Sequence, residues 1–205
     1  MTAKTIRRAG LVVATLAFLA TPAEAHLMNT GFGPFYDGLL HPLVTAEDIL
    51  PVIALALMAA LGGTRPARVA IFVLPAAWLA GMLFGRAVAP PAAESWLAAL
   101  LTVAIGARVA ADGKMPASVV AVTSIVLGLI HGWSNGAALA ESGVGLTGPC
   151  GVACTVFTVV TLVAGFAVPL TAPWARIAVR VAGSWIAAIG LLMLGWSVRM
   201  SGLRT

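Results

Sequence analysis

At 205 residues, with 60% hydrophobic and 9% charged side chains and a mean hydropathy of +1.03, the chain lies far outside the composition of soluble globular proteins. We therefore predict an all-α, polytopic membrane helix bundle whose surroundings are the lipid bilayer. The net charge of +5 does not indicate a nucleic-acid partner, because the Lys and Arg residues stand singly at the ends of apolar runs.

The first 25 residues have the form of a secretory signal peptide. Three basic residues precede an apolar core from Leu11 to Ala20, and an A-x-A cleavage pattern ends at Ala25. The core is too short to cross about 30 Å of hydrocarbon comfortably. We predict that residues 1–25 are removed, which would make His26 the mature N-terminus; an uncleaved first helix is the alternative.

Six apolar segments follow, each long enough to be read as a span. They are residues 45–62, 67–86, 91–110, 116–138, 150–170 and 174–198. Their short connections predict a single six-helix transmembrane domain over residues 26–205. A secreted start places the mature N-terminus in the periplasm of a bacterium, and six spans of the inner (cytoplasmic) membrane return the C-terminus to the same side.

The charges agree with this topology and with the positive-inside rule. The basic residues of the inner loops are Arg65, Arg68, Arg108, Lys114, Arg176 and Arg180, against Arg86, Arg199 and Arg204 outside. Beyond the signal peptide, Asp112 alone among the acids falls inside. The groups at or near the outer mouth are Asp37, Glu47, Asp48, Glu94, Glu141, His26, His41 and His131. An outer vestibule of carboxylates and imidazoles attracts cations.

The run His41-Pro-Leu-Val-Thr-Ala-Glu-Asp48 places ionisable groups where the first apolar segment enters the membrane. Residues 45–48 fit the S/T-x-x-D/E capping box, so Glu47 and Asp48 have an alternative role as helix starters only. Pro51 favours a further role, because it lacks an amide hydrogen and would free the Glu47 carbonyl, which in lipid must meet protein, water or an ion. Pro42 predicts a turn before the helix. Convergence of His41 with Asp48 stays open.

In the fourth span, His131 and Asn135 stand four residues apart and share one helical face. Gly132 and Gly136 form a G-x-x-x-G pattern that allows close helix approach. A polar pair within a span indicates function, and a histidine that merely links helices by a hydrogen bond is the alternative. Two glycines four apart in segment 67–86 predict packing alone.

Glu94 opens the third span after two prolines, where a carboxylate suits a helix N-terminus or a cation. Cys150 and Cys154 are four apart at the outer start of the fifth span, hence on one face of a helix that begins there. Three interpretations of this pair stay open: small apolar residues in a helix interface, a disulfide, or a soft-metal site shared with Met28 and His26.

Motifs for ATP hydrolysis and catalysis are missing from the sequence. No G-x-x-x-x-G-K-[S/T] loop, no H-E-x-x-H and no nucleophile with a matching base occur, and the chain has only three histidines. We expect a protein that is not an enzyme and holds no tightly bound cofactor, and any transport by this chain alone would be downhill or ion-coupled.

Three features together resemble the HupE/UreJ family: a signal peptide ending before a histidine, a G-L-L-H-P-L run leading into the first span, and an I-H-G element in the fourth. The resemblance covers essentially the whole mature chain. It implies nickel uptake, since these membrane proteins, associated with hydrogenase and urease gene clusters, are regarded as nickel permeases or secondary transporters of nickel. Ligand chemistry alone would also admit cobalt, copper or zinc.

The family's first-span motif is His, five residues, then Asp-His. In this chain His41 takes the first place, Glu47 stands for the Asp, and Asp48 stands for the second His. A glutamate near the start of the third span is also a family feature, for which Glu94 is the candidate.

The family's fourth-span motif is His-Gly-x-Ala-His-Gly-x-Glu. Here His131 and the glycines fit, Asn135 replaces the second His, and Ala138 stands where the Glu would be. Glu141 lies one turn further on and substitutes only if the helix continues that far. Exchanging imidazole for carboxylate or amide gives the site more hard oxygen ligands and fewer nitrogen ligands, so the identity of the metal stays open.

The predicted first shell of a divalent metal ion is a set of imidazole, carboxylate and amide groups. It comprises His41, Glu47, Asp48 and His131, with Asn135 as an oxygen donor, Glu94 as a nearby carboxylate and His26 where the ion first arrives. We predict a permease for a divalent transition metal, nickel first, taken up from the periplasmic side. The alternative is a non-transporting accessory or sensor protein for metalloenzyme maturation. Maturation proteins and a second copy of the chain are candidate partners.

Overall fold

The computed structural model describes residues 30–91 and 94–202. Within these ranges the chain folds into seven helices and no strand. They are α1 (Pro34–Val44), α2 (Ala46–Leu61), α3 (Thr64–Gly85), α4 (Glu94–Ala110), α5 (Ala117–Glu141), α6 (Thr147–Ala167) and α7 (Pro173–Gly202). The all-α prediction is confirmed, and each of the six predicted segments corresponds to a helix, α2 to α7.

The helices differ in their capacity to cross a membrane. Four of them, α3, α5, α6 and α7, are long and apolar enough to span it. α1 and α2 are bent by 72° relative to one another and together form a fifth candidate, either a broken span or a re-entrant loop. The apolar part of α4, Ser95–Ala110, is shorter. The described chain thus has four to five candidate spans. The predicted signal peptide lies outside the described residues.

The break between α1 and α2 lies at Thr45, whose backbone is extended (φ −101°, ψ 104°). A break before α2 is present, as Pro42 favoured, but it lies three residues later, because Pro42 itself is inside α1, which packs against α6 and continues to Val44. The predicted capping box is not formed, since Thr45 makes no side-chain cap bond to α2. Its hydroxyl donates instead to the His41 carbonyl, 2.8 Å away, and so satisfies a carbonyl at the end of α1.

The core of the bundle is built around α2. Its sequence is apolar on all sides, as expected for a helix that others surround, and from Val52 to Ala60 its side chains are buried almost without exception. It contacts every other helix of the described chain. The helix that carries Asp48 is therefore the axis on which the remaining helices are placed.

Close helix contacts are made by glycines, most extensively between α3 and α5. A Cβ atom added to Gly132 would overlap the Trp78 carbonyl, and one added to Gly136 would overlap the Met82 carbonyl. Gly85 on α3 lies equally close to the α5 backbone. The predicted small-residue packing is confirmed on both helices. It fixes the height of the polar face of α5 relative to α3.

Two further pairs use the same device. Gly106 of α4 and Gly183 of α7 each approach the backbone of the other helix, and Gly38 of α1 and Gly151 of α6 do likewise. α1 is held a second time, because the Thr155 hydroxyl of α6 donates to the Leu39 carbonyl. The helix that carries His41 is thus fixed against α6 rather than left at the surface.

Candidate functional site

Four of the residues predicted as metal ligands lie together in one buried cluster, here named the polar cluster. His41 comes from α1, Asp48 from the first turn of α2, and His131 and Asn135 from neighbouring turns of α5. All four are buried, and Asp48 is only 3% exposed. The bend at Thr45 turns α1 back so that His41 and Asp48 face the same point on α5.

The cluster is joined by hydrogen bonds across three helices. His131 Nδ1 lies 3.2 Å from Asp48 Oδ1, and Asn135 Nδ2 donates to Asp48 Oδ2 at 3.1 Å. His41 Nε2 lies 3.2 Å from Asn135 Oδ1 and 3.5 Å from Asp48 Oδ2. The convergence of His41 with Asp48, which the sequence left open, is therefore present in the structure.

One assignment of hydrogens satisfies all of these contacts. An ionised carboxylate only accepts, so Asp48 takes hydrogen bonds from the Asn135 amide and from His131 Nδ1–H. With its amide nitrogen committed to Asp48, Asn135 offers its oxygen to His41, which must donate from Nε2–H. The network is closed around the carboxylate. It compensates the cost of burying a charge that is unfavourable in an apolar interior.

The assignment leaves the second ring nitrogen of His131 with a lone pair. His131 Nε2 is buried and has no hydrogen-bond partner among the described residues. A carboxylate that accepts from one ring nitrogen and thereby exposes the lone pair of the other is the arrangement found behind metal-bound histidines. The geometry therefore presents His131 as an oriented donor, with Asp48 as the group that orients it.

Trp78 on α3 forms the wall behind this imidazole. The ring centroids of Trp78 and His131 are 5.2 Å apart with a 31° tilt between the planes, and Trp78 is fully buried. Its Nε1 is a second buried polar atom with no partner in the described part of the chain. The sequence analysis missed this residue, and its nearest sequence signal was the glycine pair one turn later on the same helix.

Proline removes one backbone hydrogen bond from the first turns of α2, next to the residue Asp48. Pro51 lies inside α2, as the sequence predicts, and has no amide hydrogen to offer the Glu47 carbonyl four residues earlier. That carbonyl belongs to the residue next to Asp48. A backbone oxygen without its helical partner is one more donor that a cation near Asp48 can use.

Two of the other predicted ligands, Glu47 and Glu141, do not join the polar cluster. Glu47 is exposed, because it precedes Asp48 by one residue and so points about a quarter turn away. Glu94 is the first residue of α4, as predicted for a helix start. Glu141 is the last residue of α5 and is exposed, so the helix does continue that far, but its side chain does not reach the cluster. His26 lies outside the described residues.

The cysteines are separate from the site. Cys150 and Cys154 are free and exposed on α6, which begins at Thr147, three residues before the first of them. Their position on one helical face is confirmed. Burial in a helix interface, which was one of the open interpretations, does not apply to either thiol.

Comparison with known proteins now identifies the family. The sequence model of the family described as HupE / UreJ protein matches residues 13–193. The chain belongs to the HupE/UreJ family. Protein HupE from Rhizobium leguminosarum bv. viciae is 32% identical over 135 residues, which are 61% of this chain and 66% of that relative. The chain thus matches just under two thirds of the relative's length. No solved structure matches it.

The polar cluster of this HupE/UreJ chain is not a preformed metal-binding site. Over residues 30–91 and 94–202, no group of three or more His, Cys, Asp and Glu side chains is arranged to hold a metal ion. The reason is visible in the polar cluster, where His41 Nε2 and both Asp48 oxygens face hydrogen-bond partners. A cation would have to displace some of those bonds in order to bind.

Proposed function

We propose that the chain is a membrane permease that takes a divalent transition-metal cation, nickel first, from the periplasmic side toward the cytoplasm. The observation that carries the proposal is the polar cluster, in which two imidazoles, a carboxylate and an amide meet at the break between α1 and α2. Polar groups of this kind inside a membrane domain are expensive and mark ion pathways. Membership of a family regarded as nickel permeases supports the same function.

The cluster's chemistry supports a divided set of roles. His131 offers the Nε2 lone pair, Asp48 orients that ring through Nδ1, and His41 can exchange its contact with Asn135 for a contact with the ion. The break at Thr45 resembles the discontinuous helices at which transporters bind their ions. Ligands that are moderate and already hydrogen-bonded favour release after binding over permanent capture.

We propose six spans of the bacterial inner membrane, with α1 and α2 forming the first. In this topology the mature N-terminus, freed by cleavage after Ala25, and the C-terminus are both periplasmic. The short α4 serves as a span because the apolar segment predicted there begins before Glu94, at residue 91. The proposal includes no catalytic activity.

The identity of the metal is proposed from the chemistry of its ligands. Nickel and cobalt accept mixed nitrogen and oxygen sites, whereas copper(I) prefers thiolates, and the two exposed cysteines are not members of the polar cluster. Asp48 and Asn135 stand where the family motifs have histidines, which leaves His41 and His131 as the two imidazoles of the polar cluster and an amide oxygen of Asn135 beside them. We therefore place nickel and cobalt before zinc and copper.

An uptake assay tests the proposal. Cells expressing the wild type, a His41→Ala/His131→Ala variant or no transporter are compared for accumulation of nickel, cobalt, zinc and copper. Ser124→Ala is the matched control, since Ser124 is a buried polar residue of α5 bonded only to its own helix. We expect wild type and control to exceed the empty strain for nickel or cobalt, and the double variant to fall to background. Equal accumulation in all four strains would refute transport.

One observation favours a second function, a non-transporting accessory or sensor for metalloenzyme maturation. The polar cluster is closed by internal hydrogen bonds, and the part of the chain that the structure describes holds no arranged group of three metal ligands. The uptake assay separates the two functions, because a non-transporting accessory protein would leave the accumulation of every metal unchanged.

A further inference from the structure

Arginine side chains crowd together where α4 ends and α7 begins, at the end of the bundle away from the Thr45 break. Arg108 is in the last turn of α4, and Arg176 and Arg180 stand four residues apart on one face near the start of α7. The turn after α4 passes between them. We name these three residues the arginine cluster.

The cluster carries more positive charge than its surroundings neutralise. Asp112 in the turn accepts a hydrogen bond from Arg176 Nη2, and Arg180 Nε donates to the Ala110 carbonyl at 3.0 Å. The Arg108 guanidinium packs against Gly113 so closely that a Cβ there would overlap it. Three guanidinium groups thus lie around a single carboxylate, which is bonded to Arg176.

Several donors remain for an external anion. Among the described residues, neither the Arg108 guanidinium nor the terminal nitrogens of Arg180 have a hydrogen-bond or ion-pair partner. All three arginines are exposed. Planar guanidinium groups recognise phosphate oxygens in pairs, which a point charge does not.

An apolar stripe continues directly from the cluster along α7. Ile177, Val181 and Trp185 follow one another at four-residue spacing beside the arginine face, and Trp185 is 70% exposed. Trp174, in the first turn, is 72% exposed, as expected for a tryptophan at the headgroup level. The ligand that matches both features has an anionic phosphate head and an apolar tail.

We propose that the arginine cluster and the α7 stripe form a binding site for an anionic phospholipid. The phosphate lies on Arg108, Arg176 and Arg180, and an acyl chain lies along Ile177, Val181 and Trp185. Basic pockets between membrane helices bind such headgroups elsewhere. The site is remote from the polar cluster, and its existence does not depend on metal transport.

Thermal unfolding of the purified full chain in a neutral detergent tests the site. Phosphatidylglycerol, phosphatidylcholine and glycerol phosphate are added separately, and the unfolding temperature is followed by tryptophan fluorescence. We expect phosphatidylglycerol alone to raise it. An Arg108→Gln/Arg180→Gln variant should bind phosphatidylglycerol roughly tenfold more weakly or worse, whereas Arg65→Gln/Arg199→Gln removes the same charge elsewhere and should respond like the wild type.

Each other outcome overturns the proposal. Equal stabilisation by phosphatidylcholine would show a detergent effect, and stabilisation by glycerol phosphate would show an anion site without a lipid. Equal loss in both double variants would indicate general charge attraction. A dimer that dissociates in the Arg108→Gln/Arg180→Gln variant would assign the surface to a second copy. If that variant does not fold, Arg108→Gln alone serves, with native mass spectrometry counting the retained lipid.

Discussion

His131 Nδ1 and Asp48 Oδ1, 3.2 Å apart, join the middle of α5 to the first turn of α2 inside the membrane domain. The contact fixes which ring nitrogen carries hydrogen and which is left with a lone pair. Asp48 therefore has two functions that can be measured separately: it stabilises the fold by accepting hydrogen bonds, and it sets the orientation of His131.

Removal of the carboxylate at Asp48 should destabilise the protein. Asp48→Ala leaves His131 Nδ1–H and the Asn135 amide without their acceptor, which costs about 1–3 kcal/mol in total. Glu47→Ala is the matched control, since it removes the neighbouring, exposed carboxylate. We expect a lower unfolding temperature in detergent for Asp48→Ala alone. Equal losses in both variants would contradict the network described for the polar cluster.

The glycine contact between α3 and α5 predicts a second stability difference. Gly132→Ala places a Cβ atom where it overlaps the Trp78 carbonyl. The substitution should cost about 1–3 kcal/mol, because the atoms that the Cβ meets belong to the backbone of α3 and cannot move without shifting that helix. Gly165→Ala, on α6 with nothing within 4 Å of the added Cβ, should be neutral or slightly stabilising. Unfolding temperatures of the two variants give the comparison, and a destabilised Gly165→Ala would show that the effect is not packing.

The two thiols of α6 should remain reduced in the native protein. Residues four apart on a regular helix have Cβ atoms about 5–6 Å apart, whereas a disulfide needs about 3.5–4.5 Å. Mass spectrometry after treatment with a membrane-permeable maleimide, without reductant, should find both Cys150 and Cys154 alkylated. Recovery of a Cys150–Cys154 disulfide would mean that this turn of α6 is not helical.

Trp78 should report metal binding in the polar cluster. Its ring lies 5.2 Å from that of His131, so a paramagnetic ion on His131 Nε2 is close enough to quench it. Titration of the wild type with nickel should lower tryptophan emission, and Trp78→Phe should remove most of that change. Zn²⁺ is the diamagnetic control. Quenching that persists in Trp78→Phe and in His131→Ala would place the metal elsewhere.

Much of the fold followed from the pattern of apolar residues. Six long apolar segments with short connections determined the helices α2 to α7, since lipid allows few other structures. The small-residue spacing at Gly132 and Gly136 also predicted close packing correctly, because only glycine permits that approach. What the pattern did not give was α1, which is shorter than a span and carries Asp37, His41 and Pro42.

The candidate site could be predicted in composition but not in geometry. His131 and Asn135 share a face by helical periodicity alone, and the structure confirms that both are buried on the same face of α5. The distance between His41 and Asp48 depends on a single backbone break, and local rules predicted a turn before α2 without locating it at Thr45. Trp78 gave no signal, since a tryptophan in an apolar helix does not indicate which neighbour it covers. Tertiary contacts decide both the position of the break and the neighbour of Trp78.

The glycine contacts between α3 and α5 divide the polar cluster into a part that is held in place and a part that can move. His131 and Asn135 both stand on α5, which is interlocked with α3 at backbone distance, so that neither helix slides without breaking several contacts at once. His41 stands beyond the Thr45 break, on α1, which is interlocked with α6 instead. A joint shift of α1 and α6 about Thr45 would withdraw His41 from Asn135 while leaving the pair of His131 and Asp48 intact. Access from one side could then change without rebuilding the site.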